Sequence, residues 1–222
     1  MKSENKKIDS LHYPPEEKYF LVLLYAPNLS NKFAQPVRGN LWMQKEMFVL
    51  SKILDELNDL KFDEHLFGPH SPILESIQNQ YLNSKVIKQQ YLNGPITLTD
   101  NGIELVKSIW DKISDEKKKL ILEVKQFLND MRTWELISFI YSSYPETTKN
   151  SDVLEKFHSE RLNSAISLFK KKKISLEKAA SISGKTLEDF IILLKEKKIK
   201  AFEVDESTLR EDLSFFENTA RC

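Results

Sequence analysis

Along the first 150 residues the apolar positions fall at the three- and four-residue spacing of amphipathic helices, interrupted by short alternating runs that read as strands. The first helix opens at Pro14-Pro15-Glu16-Glu17, with proline and acids in the first turn, and runs through Tyr19-Phe20-Leu21-Val22-Leu23-Leu24-Tyr25 up to Pro27. It is apolar almost all round, which predicts a central core helix. Asn28 to Pro36 reads as a loop. After Gly39-Asn40, the residues Leu41, Met43, Met47, Phe48, Leu50, Ile53, Leu54 and Leu57 predict a second helix, this one amphipathic. Phe62 to Phe67 alternates and ends at Gly68-Pro69, as a short strand or an extended arm does. Ser71 then stands where it can cap a helix that begins at Pro72 and runs near Tyr81. Its inward residues are Ile73, Leu74, Ile77 and Tyr81 or Leu82; Glu75, Gln78 and Asn79 form the polar face.

Val86 to Leu92 and Ile96-Thr97-Leu98 flank Asn93-Gly94-Pro95 and predict two short strands about a turn. Beyond Thr99-Asp100-Asn101-Gly102, the stripe Leu105, Val106, Ile109, Trp110 and Ile113 predicts another helix. Two more follow, from Ser114 to about Asn129 and from Thr133 to Tyr144, before Pro145 to Ser151 breaks the pattern. Trp42, Trp110 and Trp134 lie in these helical patterns and read as core residues rather than base-stacking platforms. From Asp152 a helix carries Leu162, Ala165 and Phe169 to the run Lys170-Lys171-Lys172-Lys173. A short helix from Ser175, a turn at Ser183-Gly184-Lys185 and a helix capped by Thr186 then make a helix-turn-helix. An extended Ile199 to Val204 and an acidic helix, Glu206 to Phe216, are expected to complete it.

The order helix, helix, helix, hairpin, helix is that of a winged helix-turn-helix with a preceding helix. The predicted fold class is therefore mainly α: a winged helix-turn-helix with a small β-hairpin, followed by a smaller helical helix-turn-helix module. The domains are expected at 1–13 (a flexible tail), 14–149 (the winged-helix-like domain with two extra helices) and 150–222 (the small module with its acidic C-terminal helix).

Composition narrows the function. Five glycines, none close enough to another to form a phosphate-cradling loop, argue against the common nucleotide-binding motifs. Cys222, the sole cysteine, permits neither an intrachain disulfide nor a thiolate metal cluster and suits a reducing cytoplasm, the expected location. No stretch reaches the roughly 18 uninterrupted apolar residues of a membrane span, and no apolar run follows the N-terminus, so neither insertion nor secretion is expected. Net charge is zero but unevenly spread: residues 151–200 hold twelve Lys and Arg against seven Asp and Glu, and residues 201–222 hold two against six. A basic segment running into an acidic tail is either a pair of solvated faces or a polyanion-binding segment whose acidic neighbour contacts it or a partner.

Ile174-Ser175-Leu176-Glu177-Lys178-Ala179-Ala180-Ser181-Ile182-Ser183-Gly184, continuing through Phe190, Leu194, Lys198-Ile199 and Asp205 to Leu213, resembles a small uncharacterised prokaryotic family, common in archaea. Its pattern is I-S-x-x-K-A-A-x-x-x-G, then a helix, an extended segment and an acidic end. The resemblance implies an antitoxin or regulator, of a kind often encoded beside PIN-domain ribonuclease toxins. In the front part, Arg38-Gly39, Leu41, Gln44-Lys45 and Phe48, then Phe67-Gly68-Pro69-His70-Ser71 and Leu98 to Gly102, are similar to winged-helix domains of the phage-associated and Panacea antitoxin type. The usual patterns there are G-R-T-x-L-Q-K and Y-G-P-F/Y-S; here Asn40-Leu41-Trp42 replaces R-T-x and His70 replaces the aromatic residue. Both resemblances imply regulation or toxin neutralisation, and neither implies a catalytic centre.

The residues suited to duplex DNA are cations for phosphates and polar side chains for base edges. The helix from Ser71 offers the amides of Gln78 and Asn79, and the hairpin after it offers Lys85, Lys88 and Gln89. The second module offers Lys170, Lys171, Lys172, Lys173, Lys185 and Thr186, although Glu188 and Asp189 beside the last two would repel phosphate. The alternative is an ordinary polar surface. His65 and His70 could be imagined on a metal, but no H-E-x-x-H arrangement accompanies them, and no G-x-S-x-G elbow marks a nucleophile, so no metal, cofactor or enzyme activity is expected. The expected function is a DNA-binding transcriptional regulator acting as a homodimer, and the resemblances imply the antitoxin of a toxin–antitoxin pair. The competing expectation is a module that binds a protein toxin without touching DNA, packing Leu213, Phe215 and Phe216 against it.

Overall fold

A computed structural model of the chain describes residues 13–148 and 153–201. The expected tail over 1–13, save Tyr13, and the acidic helix Glu206 to Phe216 lie outside the described residues. The described chain is mainly helical with two antiparallel hairpins, the winged helix-turn-helix class read from the pattern. Contacts divide it into two compact units between Arg161 and Leu162.

In the first unit, α1 (Pro15–Tyr25) is the hub. Every residue from Tyr19 to Ala26 is buried, as its all-round apolarity predicts. Around it pack α2 (Asn40–Ser51), α3 (Pro72–Asn83), α4 (Asp100–Trp110) and α5 (Asp115–Leu128). The α1 terminus is closed by a distant cation. Lys125 of α5, fully buried, donates to the carbonyls of Leu24, Ala26 and Gln35 at 3.2, 2.7 and 2.9 Å, the first two at the end of α1, where helical partners run out, and the third in the loop that follows.

Helix α2 is shorter than its spacing predicts: it stops at Ser51, and Asp55–Leu57 forms a separate 3₁₀ turn. Leu54 and Leu57 still reach the core from that turn, while Ile53 is exposed. The 62–70 segment also differs from expectation. Gly68-Pro69 does not end the strand but forms the return half of a hairpin, β1 (Asp63–His65) against β2 (Gly68–His70), with Leu66 and Phe67 exposed at the bend. A two-stranded ribbon has two free edges, so a residue lacking an N–H is tolerated there.

Helix α3 buries Leu74, Ile77 and Tyr81, but Ile73 faces out and Gln78 faces in, the reverse of the sequence reading. After α3, β3 (Ile87–Gln89) pairs with β4 (Ile96–Leu98), and Val37 bridges to Ile96 on the other side. This is the wing. Its tip exposes Tyr91 and Leu92, the latter 83% accessible. Thr99 caps α4 by accepting the Gly102 N–H. α6 (Thr133–Ser143) packs on β2, and α7 (Leu154–Lys170) lays Phe157 against Tyr141 in its first turns. None of the three tryptophans is fully buried. Trp42 lies under the Arg38 guanidinium and donates to Met131 O, Trp110 meets Tyr25 and Phe33, and Trp134 carries Lys156 over its face.

The second unit holds the rest of α7, then α8 (Leu176–Ser183) and α9 (Leu187–Glu196) around Ala165, Leu168, Ala179, Ile182, Phe190 and Leu194. The helices turn at Gly184, whose left-handed φ of 74° suits a residue without Cβ. Ser175 and Thr186 cap α8 and α9 by accepting the Lys178 and Asp189 N–H groups.

Candidate nucleic-acid interface

The structure separates the sequence-selected residues into those turned outward and those built into the protein. Ser71 belongs to the second group. It is the N-cap residue of α3 by position, yet its hydroxyl makes no cap bond; it is fully buried and its Oγ has no hydrogen-bond partner. Its backbone is held by Gln44, which accepts the Ser71 N–H at 2.8 Å and donates to the Ser71 carbonyl at 3.1 Å. Gln78, 8% accessible, donates to Asn40 Oδ1 and Gln89 Oε1, both at 3.0 Å. Gln89 donates in turn to Asn40 Oδ1 at 2.8 Å and Gly94 O at 2.7 Å. These amides fasten α2, α3 and the wing to one another, so neither Gln78 nor Gln89 presents a free amide edge to a base.

Asn79, Lys85 and Lys88 are exposed. Lys85 adopts a left-handed φ of 56° just past α3, where the Val86 N–H bonds back to Tyr81 O and closes the helix end. The outward face of α3 itself (Ile73, Glu75, Ser76, Asn79, Gln80, Asn83) carries no cation. Glu75 on that face bonds His70 Nε2 at 2.9 Å.

In the second unit Lys170, Lys171 and Lys172 are exposed and Lys173 is half-buried. They surround the closure of α7, where Lys172 has φ 56° and the Lys173 N–H returns to Leu168 O. Lys170, Lys172, Lys173 and Lys200 border a groove of about 640 Å³ floored by Phe169, Ile174 and Ile199. Lys185 and Thr186 are exposed at the start of α9, with the Thr186 hydroxyl committed to its cap. Over residues 162–201 ten lysines stand against four carboxylates, Glu177, Glu188, Asp189 and Glu196. Leu213, Phe215 and Phe216 lie outside the described residues.

Three consecutive polar residues of α2, Gln44, Lys45 and Glu46, are buried, and the apolar spacing gave no sign of them. Lys45, 2% accessible, donates to Pro69 O at 2.8 Å, and burial lowers its pKa to about 7. Glu46 is fully buried with neither carboxyl oxygen hydrogen-bonded; burial raises its pKa well above the usual range, against the opposing pull of Lys125. Burial likewise lowers Lys125 to about 8, with Glu46 opposing. The motif residues Gln44-Lys45 and Pro69 to Ser71 carry the signal in the sequence: the structure brings the two segments into direct contact.

Among the described residues no group of three or more His, Cys, Asp or Glu could hold a metal, and no helix is long and apolar enough to cross a membrane. No curated protein and no solved structure matches the chain. Residues 147–218, the C-terminal part, match the profile of an uncharacterised protein family (UPF0175).

Proposed function

We propose that the protein is a DNA-binding regulator whose principal contact is the basic helix-turn-helix of the second unit, with the wing lysines Lys85 and Lys88 as a secondary one, and that it carries no catalytic activity. The observation that supports this reading most is the excess of lysine over carboxylate on a helix-turn-helix frame, with Lys170, Lys171 and Lys172 exposed at the end of α7. The uncharged and acidic outward face of α3 shifts the emphasis away from that helix. An antitoxin role acting on its own operator rests on the two family resemblances, a dimer on the paired half-sites such readers bind, and a cytoplasmic location on the cysteine content.

The test is fluorescence anisotropy of labelled duplexes, one from the region upstream of the gene and one scrambled, at two salt concentrations. Binding should fall steeply with salt, with the upstream duplex favoured by at least about tenfold, and replacing Lys170, Lys171, Lys172 and Lys173 by Ala should weaken both and flatten the salt dependence. Absence of binding to either duplex at low salt would end the DNA reading.

One observation favours the second reading, a protein-binding module that neutralises a toxin. The outward face of α9 exposes Leu187 and Ile192, the latter 55% accessible, beside Glu188 and Asp189. An apolar and acidic face suits a protein better than phosphate. On this reading Ile192→Arg abolishes co-purification of the partner and leaves duplex affinity no lower than before.

A further inference from the structure

A cavity of about 370 Å³ opens in the first unit between α2, the β1–β2 hairpin, α3 and the wing loop. Its walls are mostly apolar or flat: Leu41, Trp42, Phe67 and the rings of His65 and His70, whose centroids lie 4.8 Å apart at 31°. Most of its polar groups are already engaged. Gln44 holds Ser71, Gln78 and Asn40 belong to the wing network, and His70 is bonded to Glu75.

The side chains of His65, Asn93 and Thr133 are not among these, and neither is that of Lys45, the buried amine of the wall. Its ammonium has three donors, yet Pro69 O is its single hydrogen-bond acceptor, although the side chain is almost wholly withdrawn from bulk water. A buried ammonium left two donors short is costly unless something else answers it. Glu75, the one carboxylate on the wall, is paired with His70 rather than Lys45. The cavity is therefore bordered by one buried amine with no charged partner, at an apolar, flat-walled site, with a volume at the small end of ligand cavities, which run from about 300 to 1,000 Å³.

We propose that this cavity binds a small aromatic monocarboxylate, its carboxylate against the Lys45 ammonium and its ring between Trp42, Phe67 and the two histidines. A single carboxylate matches the single amine without a charged partner, which holds its proton once the anion is beside it, and a one- or two-ring body matches the volume. The proposal does not depend on DNA binding, since every residue it uses lies in the first unit.

The test uses the full-length protein and the probes benzoate, phenylacetate and 3-indoleacetate, each beside its uncharged primary amide, followed by protein-observed NMR. At least one acid should bind with a Kd of about 1 mM or tighter, its amide at least about tenfold more weakly. Lys45→Met should remove binding of the acid while circular dichroism shows the fold intact. Should that variant not fold, His65→Trp, a change on an exposed strand that fills the cavity, should remove binding instead. The proposal is overturned if none of the three acids shifts the spectrum at about 10 mM, well above ordinary ligand affinities. It is equally overturned if amide and acid bind alike, or if acid affinity survives Lys45→Met or His65→Trp in a folded protein.

Discussion

Replacing Lys45 by Met should make the protein more stable. The folded-state pKa of about 7 against an ordinary 10.5 means that at neutral pH the buried ammonium opposes folding by roughly 4 kcal/mol, at about 1.36 kcal/mol per unit. Methionine has nearly the same length and needs no water. What it loses is the hydrogen bond to Pro69 O, and leaving that carbonyl without its donor costs about 1–2 kcal/mol. The balance favours Lys45→Met by about 2 kcal/mol, or about 5 °C in Tm for a chain of this size.

The sign has a pH signature. Between about 7 and 10.5 the unfolded chain holds a proton at Lys45 that the folded chain has released, so the stability of the native protein rises with pH across that window. The advantage of the methionine variant should accordingly be largest at pH 7 and shrink towards pH 10. Lys125, lowered to about 8, Glu46, and the cavity groups His65, His70 and Glu75 are common to both proteins and largely cancel in the difference. Urea titrations of both proteins at pH 7, 8.5 and 10 measure it. A variant less stable than the native protein at pH 7, or a difference that does not change with pH, would refute the reasoning that burial of this ammonium opposes folding.

Two other changes should act in the opposite direction. Lys125→Met removes the donor from three carbonyls, two at the end of α1 and that of Gln35, and should destabilise by about 1 kcal/mol in the same titration at pH 7, since three lost hydrogen bonds at about 1.5 kcal/mol each outweigh the roughly 3 kcal/mol released with the buried ammonium. Gly39→Ala places a Cβ at 2.4 Å from the backbone oxygen of Asn93, a contact that cannot relax by side-chain movement, and should lower stability by about 2 kcal/mol and perturb the wing amides in an NMR spectrum.

What the pattern of apolar residues could convey, it conveyed where burial follows from periodicity. The hub position of α1 is written in its unbroken run from Tyr19 to Tyr25, and the wing in the alternation of Ile87, Ile96 and Leu98 about a Gly-containing turn. Failures occur where the chain turns without losing its apolar spacing, or where a polar side chain is answered by one distant in sequence. The apolar spacing runs through Ile53 to Leu57 as if one helix continued, although the chain turns after Ser51. Gln78 looks like a surface amide because its partners, Asn40 and Gln89, are 38 and 11 residues away. The basic segment after Leu162 was legible as charge, but the residues that would oppose or complement it, 203–217, lie outside the described chain.

The segment Gln44-Lys45 and the segment Gly68 to Ser71, both singled out by identity rather than periodicity, prove to be two sides of one contact. Gln44 grips the Ser71 backbone from both sides and Lys45 bonds Pro69 O, so helix α2 sets the position of the hairpin and the start of α3. Gln44 accounts for itself in this way, since its donor and its acceptor are both used. Lys45 does not. One hydrogen bond to a carbonyl can be made by a neutral glutamine amide without taking a full charge out of water. An ammonium at that position meets a demand that the fold alone does not make, and the cavity it borders supplies the place where such a demand would arise.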